Sequence, residues 1–370
     1  MGRGFIRITT FLKHETPMNQ VTLLRERLRP HFAWHGPRLS FIAAFLIALF
    51  RVKTVNFSFL ATAFSGKAQT DSHYKRLQRF FRDYEMDYAE IAEAVVALMA
   101  IPEPWVLSID RTNWQFGNCV FNILMLGVVH DGVAFPLVWC LLDKRGNSNS
   151  NERIELFNQF LERFGTREIA CLTADREFIG KAWFGYLLPD PLTPFRIRIR
   201  ENHNLSDGQT SRKVRILFAD VQVGQTKILR QKRRLWGHWV YIAATRLTDG
   251  GLLVVATQSA PSSAIADYAK RWGIETLFGI FKTRGFCLES THLTDAKRLS
   301  KLLALLSLAL CWAILAGEWL HQHKPLKLKK HRRKAKSIFR YGLDHLRNIL
   351  LNLDQKMSEF MQVLQFLSCT

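Results

Sequence analysis

The chain has 370 residues, 48% of them hydrophobic, which is enough for about two or three domains and excludes a basic disordered tail. Lysine and arginine number 52 against 31 acidic residues, which gives a formal net charge of +21. That excess is too large for an ordinary metabolic enzyme, and it favours a polyanion or an anionic membrane surface as the partner.

The six cysteines are scattered singly, without a CxxC pair. This pattern argues against a disulfide framework and a structural zinc site, and it favours a reducing, cytoplasmic location. The N-terminus shows no charged-then-apolar signal peptide, and residues 1–17 are irregular. Both Met1 and Met18 are therefore candidate start residues.

One apolar run, Leu302–Leu320, has about the length of a membrane span. Its apolar character is interrupted by Ser307, Cys311, Gly317 and Glu318. The run also follows directly on a charged segment. We expect a buried core helix and no membrane partner, and a membrane-anchored basic protein is the alternative.

The first 100 residues have helical patterning, with apolar residues at steps of three and four. Phe41–Arg51 is predicted as an apolar helix and Asp71–Arg82 as a basic one, with Asp71 or Ser72 as its N-cap. The basic helix has cations on one side, namely Lys75, Arg76, Arg79 and Arg82. This face suits DNA contact of the helix-turn-helix kind, and the alternative is a solvated face on a structural helix.

From Trp105 the pattern changes to strands. Trp105–Asp110 is a short apolar run that ends in an acid, and Ile169–Asp175 is another. Between them we predict two strands joined by a hairpin turn at Asp131-Gly132, followed by a helix from Asn151 to Phe164. Ligands of open α/β sheets gather beyond the carboxyl ends of strands, so the two acids are candidate site residues.

Residues 195–259 read as further β-structure, including a strand over residues 213–223. The cations Arg196, Arg198 and Arg200 alternate along one predicted strand and therefore share one face. A basic cluster that contains Arg233 precedes Trp236 and Trp239. Cations among aromatic residues suit a surface that grips phosphates and stacks on bases, whereas core packing is the alternative for each tryptophan.

The segment Tyr268–Lys282 reads as one amphipathic helix. Four polar residues fall near one side of it: Tyr268, Arg271, Glu275 and Lys282. The apolar surface is predicted to pack the helix through Trp272, Leu277, Phe278 and Phe281. The polar stripe indicates a bound anion and a metal, and the alternative is a set of ion pairs within the helix.

Residues 324–340 contain nine lysines and arginines and no acid. The stretch, which includes Lys329 and Arg332, is either a linker that binds phosphates or a soluble tail. Leu343–Leu367 is predicted as a final helical segment.

Three acids are candidates for one catalytic site: Asp110, Asp175 and Glu275. Carboxylates placed together repel each other unless a cation neutralises them. Mg²⁺, with Mn²⁺ as a substitute, favours such oxygen ligands, and two ions can promote phosphodiester cleavage. The alternative is that these acids cap helices or form ordinary salt bridges.

These residues also carry a family resemblance. The chain resembles bacterial insertion-sequence DDE transposases of the IS-four type, whose signature is Tyr, two residues, Arg, three residues, Glu, six residues, Lys. Tyr268, Arg271, Glu275 and Lys282 keep every spacing. The contexts of the first two acids, S-I-D-R-T-N-W and T-A-D-R-E-F, also resemble that family, and the likeness extends over about residues 49–350.

The resemblance implies a mixed α/β fold with an RNase H-like catalytic domain that a β-rich insertion interrupts. The implied parts are a helical DNA-binding region (1–100), the first part of the core (101–190), the insertion (191–260), the second part of the core (261–322) and a basic helical C-terminal region (323–370). Asp110, Asp175 and Glu275 would bind the metal. Tyr268, Arg271 and Lys282 would contact DNA phosphates.

The implied activity is cleavage at the terminal inverted repeats of an insertion sequence and strand transfer into target DNA. A homodimer would hold two ends of double-stranded DNA, in the bacterial cytoplasm and at the nucleoid. Relatives form a hairpin on the transposon end and hold a flipped base against an aromatic residue, a role open here to Trp236 or Trp239. The alternative function is a catalytically inactive DNA-binding protein or repressor derived from a transposable element.

Overall fold

The structure is a computed structural model that describes residues 19–189, 193–330 and 332–368. The irregular N-terminal residues and the choice between Met1 and Met18 lie outside the described residues.

The described chain begins with five helices: α1 (Gln20–Leu28), α2 (Gly36–Val52), α3 (Phe57–Ala63), α4 (Thr70–Asp83) and α5 (Tyr88–Met99). The expected sides of α4 are confirmed, since Leu77 and Phe81 are buried whereas Lys75, Arg79 and Arg82 are exposed. The expected N-cap at Asp71 or Ser72 is wrong, because the helix begins earlier and Gln69 is its cap. Asp71 lies in the first turn, where a negative charge stabilises the helix dipole.

One mixed sheet forms the centre of the molecule. Its eleven strands are β1 (Trp105–Phe116), β2 (Cys119–His130), β3 (Val133–Leu141), β4 (Ile169–Ala174), β5 (Phe195–Ile199), β6 (Asn204–Ser206), β7 (Ser211–Lys213), β8 (Thr226–Ile228), β9 (Arg233–Leu235), β10 (His238–Arg246) and β11 (Leu252–Thr257). Their order is β3-β2-β1-β4-β5-β11-β10-β9-β6-β7, and β8 pairs with β10. The mixed α/β class is therefore confirmed.

Strand β1 joins an antiparallel part of the sheet to a parallel part. Strands β1, β2 and β3 form an antiparallel meander, and the predicted turn at Asp131-Gly132 joins β2 to β3 with positive φ at both residues. On its other side β1 pairs in parallel with β4, and β4 pairs in parallel with β5. Helices α6 (Ser150–Phe164) and α7 (Lys181–Leu187) form the connections around β4.

The expectation that a strand ends at Asp110 is wrong. Strand β1 continues to Phe116, because its second half pairs with β2 through a tight hairpin. Pairing with β4, in contrast, stops at Ile109 and Ala174. Asp110 is thus mid-strand in the hairpin but lies at the carboxyl end of the parallel pair.

The β-rich segment also differs in part from its prediction. The strand expected over residues 213–223 is wrong, because the short helix α8 (Val214–Leu217) and turns form there. Strands β5 and β11 pair with each other, so the small strands of this segment extend the main sheet.

The expected single helix from Tyr268 to Lys282 is wrong as well. The segment divides into α9 (Ala264–Ala269), α10 (Trp272–Gly279) and a π-helical turn (Ile280–Arg284). Helix α10 packs on β1, β2 and β3 through buried side chains that include Leu277 and Phe278. Trp272 does not pack as expected, because it points away from this contact and is 65% exposed.

Three helices complete the fold: α11 (Ala296–His323), α12 (Ile338–Leu351) and α13 (Leu353–Gln365). By length and composition α11 could cross a membrane, and so could α1 and α2 if their bent pair counted as one span. However, 89% of the apolar window of α11 is buried in the fold, which confirms the expected core helix. Helices α2, α4, α5 and α12 pack around it, so N-terminal and C-terminal helices of the described residues share one core.

Candidate active site

The sheet brings the first two acids together. Ile109 and Ala174 are register partners in the parallel pair of β1 and β4, and each is followed directly by an acid. Neighbouring parallel strands lie about 4.8 Å apart, and residues in register point to the same face. Asp110 and Asp175 therefore lie side by side at the point where the two strands separate.

Helix α10 adds the third acid through a bridging cation. The guanidinium of Arg271 donates from Nη1 to Asp110 Oδ2 at 3.1 Å and from Nη2 to Glu275 Oε1 at 2.5 Å. Arg271 is only 6% exposed, and its Nε is buried with no hydrogen-bond partner among the described residues. One buried positive charge thus lies between two of the three candidate acids.

The surroundings of Asp110 make its ionised form less favourable than that of an exposed aspartate. Burial, together with the nearby carboxylates of Glu177 and Asp175, raises its pKa to about 7. The amide of Arg111, which donates to Oδ1 at 2.7 Å, and the charge of Arg271 act in the opposite direction. A positive charge beside Asp110 therefore favours its ionised form.

Asp175 has its own two partners. The Tyr268 hydroxyl, at the end of α9, donates to Asp175 Oδ1 at 3.2 Å. Arg198 on β5 places Nη1 3.7 Å from the same oxygen. Burial raises the pKa of Tyr268 to about 12, so the phenol keeps its proton and acts as a donor.

Lys282 points back to β1. Its ammonium donates to the carbonyl oxygen of Asn113 at 2.8 Å, lies 3.0 Å from Glu289, and lies over the ring of Trp114. Tyr268, Arg271 and Lys282 therefore contact the aspartates or the strand that carries the first one, and Arg271 also contacts Glu275.

A second ion pair next to the acids has no counterpart in the sequence predictions. Arg111 pairs with Glu177 at 3.2 Å and donates from Nη1 to the side-chain oxygen of Asn122. The amide nitrogen of Asn122 in turn donates to the carbonyl oxygens of Lys144 and Gly146. These contacts connect the strand of Asp110 with the loop that follows Asp175. The only signal for them was that each acid precedes an arginine, in Asp-Arg-Thr-Asn and Asp-Arg-Glu-Phe.

The other candidate DNA contacts lie on separate surfaces. Lys75, Arg79, Arg200, Lys329 and Arg332 are exposed, and Arg76 is half-buried over the ring of Phe41. The guanidinium of Arg233 donates to carbonyl oxygens of its own loop. The structure does not bring these residues to the acid cluster.

The two tryptophans of the β-rich segment differ in exposure. Trp236 is half-buried and packs edge-on against Phe184 and His203. Trp239 is 47% exposed on β10.

In this form, no group of three or more histidine, cysteine, aspartate or glutamate side chains within the described ranges is arranged to hold one metal ion. The physical reason is Arg271, whose guanidinium lies between Asp110 and Glu275. The donor set nevertheless fits a hard divalent cation, because it consists of carboxylate oxygens that already require a positive charge among them.

Comparison with known proteins identifies the class. The chain matches the family model described as the transposase DDE domain over residues 102–312. That match spans more than half of the chain and contains all three acids, and the chain belongs to this family. A comparison with curated proteins gave no match.

Among solved structures, the chain is similar to a cryo-EM structure of a piggyBac transposase synaptic complex with hairpin DNA. The sequence identity is 11%, the alignment covers 92% of this chain and 77% of that chain, and the TM-score is 0.44. At this level of likeness, the assignment rests on the family match. The protein is thus a transposase of the DDE class.

Proposed function

We propose that this transposase binds the terminal inverted repeats of an insertion sequence and catalyses metal-dependent DNA cleavage and strand transfer. The observation that carries the proposal is that Asp110 and Glu275 share buried Arg271, while Asp175 lies beside Asp110 in the register of the sheet. These acids come from three distant parts of the chain. Their convergence in a protein of charge +21 suits a site where acids hold metal and basic surroundings hold DNA.

Asp110, Asp175 and Glu275 would hold Mg²⁺, with Mn²⁺ as a substitute. When bound, the metal supplies activation of a water or a 3′-hydroxyl and stabilises the leaving oxygen of the phosphodiester. The protein holds the two aspartates in register on β1 and β4 and presents Glu275 from α10. The Arg111–Glu177 pair would hold the strand of Asp110 at a constant distance from the loop that follows Asp175.

Arg271, Tyr268 and Lys282 would exchange partners when DNA arrives. Without DNA, Arg271 and Tyr268 contact the acids, and Lys282 contacts Glu289. A DNA phosphate offers an alternative anionic partner to each of them, and guanidinium groups bind phosphate in a bidentate manner. The same residues would thus stabilise the acids before binding and contact the DNA backbone after it.

The wider DNA interface would involve double-stranded DNA and two protomers in a synaptic homodimer. Its candidate contacts are Lys75, Arg76, Arg79, Arg198, Arg200, Arg233, Trp236, Trp239, Lys329 and Arg332. Because Trp239 is exposed and Trp236 is packed, Trp239 is the better candidate for holding a flipped base in a hairpin intermediate. Action on chromosomal DNA implies a cytoplasmic, nucleoid-associated protein.

We also infer that β3-β2-β1-β4-β5 forms the RNase H-like core. An antiparallel meander joined to two parallel strands, with α6 and α10 against it, supports this inference.

The test is the variant Glu275→Gln, which keeps the shape of the side chain and removes its charge. We expect terminal-repeat cleavage in Mg²⁺ to fall by at least about 100-fold, which is typical for loss of a catalytic group, while DNA binding persists. The matched control is Glu93→Gln, at a surface ion pair with Arg163. Cleavage retained in Glu275→Gln would reject the site. Binding without cleavage by the unaltered protein, in Mg²⁺ and in Mn²⁺, would favour the inactive DNA-binding alternative.

A further inference from the structure

A large groove lies beside the candidate active site. It has a volume of about 1360 Å³ and forms where three parts of the chain meet. The turn between β2 and β3 makes one wall, and the end of α11 with residues 334–340 makes the other. The floor is formed by the last part of α10 and the π-helical turn, from Thr276 to Arg284. Since Thr276 follows Glu275, the groove and the acid cluster share helix α10.

The groove is lined mainly by positive charge. Four lysines and arginines face it, namely Arg284, Lys334, Lys336 and Arg340, against the two acids Asp131 and Glu318. Burial raises the pKa of Glu318, and the charge of Asp131 acts in the same direction, against the weaker opposing effects of His130 and Lys334. The lining therefore attracts anions.

Two of these cations are available to a ligand. Lys336 and Arg340 are partly neutralised, because both pair with Asp344 at 2.9 Å. Among the described residues, by contrast, no carboxylate forms an ion pair with Arg284 or Lys334. Charge complementarity at this groove thus depends mostly on Arg284 and Lys334.

The position of Arg284 depends on its contact with helix α10. Its guanidinium lies directly against Gly279, where a Cβ atom would overlap it. Gly279 is four residues after Glu275, about one helical turn along α10. The missing side chain at residue 279 therefore lets a cation lie along the helix, one turn away from a candidate metal ligand.

The lining continues into a basic hairpin outside the groove. Leu328 pairs with Lys334, and the backbone amides of Lys329 and Ala335 complete the contacts. Lys327, Lys329 and Lys330 on this hairpin are exposed. The positive surface thus extends from α10 to the edge of the molecule, which suits an elongated anion rather than a single phosphate group.

We propose that this groove binds a second segment of double-stranded DNA, distinct from the transposon end at the acid cluster. The proposal rests on the proposed function, since strand transfer joins two DNA segments at one set of acids. Arg271 and Lys282 point instead toward the acids and strand β1, where they would contact the transposon end. The groove offers the second segment a separate cationic path that reaches the same helix.

The experiment uses the full chain in complex with a duplex of its terminal repeat and measures capture of a labelled duplex of unrelated sequence by fluorescence anisotropy. For Arg284→Ala/Lys334→Ala we expect capture to weaken at least tenfold. The slope of log affinity against log salt should fall by about 2, since each lost phosphate contact contributes about 0.9. Binding of the terminal repeat and its cleavage should stay within twofold of the unaltered protein.

The matched control is Arg163→Ala/Lys356→Ala, which removes the same charge from α6 and α13. Gly279→Ala provides a second variant, because the new methyl group should displace the Arg284 guanidinium and weaken capture without a change in net charge. Thermal melting of each variant verifies that it is folded.

Three outcomes would overturn the proposal. The first is unchanged capture in the groove variant, and the second is equal loss of capture in the control. The third is a loss of terminal-repeat binding, which would assign the groove to the transposon end, or a change of oligomeric state, which would assign it to a second copy of the chain. Failure of the proposed function has a different signature, because the unaltered protein would then not cleave the repeat while the capture comparison could still be made.

Discussion

Arg271 is a cation buried between two carboxylates that are candidates to bind another cation. Its guanidinium contacts Asp110 and Glu275, and the Tyr268 hydroxyl contacts Asp175. Arg271 thus offsets part of the negative charge of the acid cluster. If these acids bind the metal as proposed, Arg271 must move to admit it, and a DNA phosphate is a partner that can draw it away. Binding of metal and of DNA should be coupled, and each should increase the affinity for the other.

Replacement of Arg271 by alanine tests this competition between the guanidinium and the metal. Without DNA, the variant should bind Mn²⁺ at least about tenfold more tightly than the unaltered protein, because a competing charge close to two ligands has been removed. Isothermal titration calorimetry measures this, in buffer well above the Asp110 pKa of about 7. Arg234→Ala, at an exposed position on β9, is the control. Unchanged or weaker Mn²⁺ binding would contradict the inference that Arg271 competes with the metal for Asp110 and Glu275.

At the scale of elements, α11 organises the helical part of the molecule through close backbone contact with α12. A Cβ atom at Gly342 would overlap the backbone of Ala313 and meet that of Gly317. A Cβ atom at Gly317 would likewise overlap the carbonyl oxygen of Ile338. The two helices therefore approach each other more closely than larger residues would allow, which seals the apolar surface of α11.

Gly342→Ala should lower the free energy of unfolding by about 1–3 kcal/mol, the usual cost of adding volume to a well-packed contact. The melting temperature should fall accordingly, as measured by circular dichroism. Gly36→Ala is the matched control, since nothing lies within 4 Å of a Cβ atom at that residue. A melting temperature of Gly342→Ala equal to that of the unaltered protein would show that α11 and α12 can move apart at little cost in free energy.

At the scale of the whole molecule, two properties bear on DNA binding: the net charge of +21, and the large core that connects the helical and sheet parts. Cations on α4, on the β-rich segment and on the hairpin around Lys329 belong to surfaces that a single core holds together. A long DNA segment can therefore contact several of them at once without independent domains having to reorient.

This arrangement predicts a strong salt dependence of DNA binding. With at least about six phosphate contacts, affinity for a terminal-repeat duplex should fall by about 10³-fold between 50 and 200 mM salt. Fluorescence anisotropy over a salt series measures the slope. A slope equivalent to one or two contacts would contradict a broad interface and leave binding to a small part of the surface.

The residues of the candidate site could be predicted from the sequence because residue type and spacing are local properties. The family match confirms the transposase class. In the structure, Asp110 and Asp175 follow register partners on β1 and β4, and Arg271 contacts both Asp110 and Glu275. The buried character of α11 was also readable, since a long apolar run with few polar interruptions needs either a core or a membrane. The alternating pattern likewise predicted β2, β3 and the turn between them.

The tertiary structure alone decided which partners these residues have. Strand β1 continues past Asp110 because β2 pairs with it, and the segment Tyr268–Lys282 divides because its parts pack on different strands of the sheet. Trp272 is exposed for the same reason, although an apolar residue in a helix predicts packing. The cation between Asp110 and Glu275 could not be inferred from spacing, since it depends on how α10 lies against β1. Sequence by itself therefore determined which groups form the site, and long-range packing decided that a guanidinium lies among them.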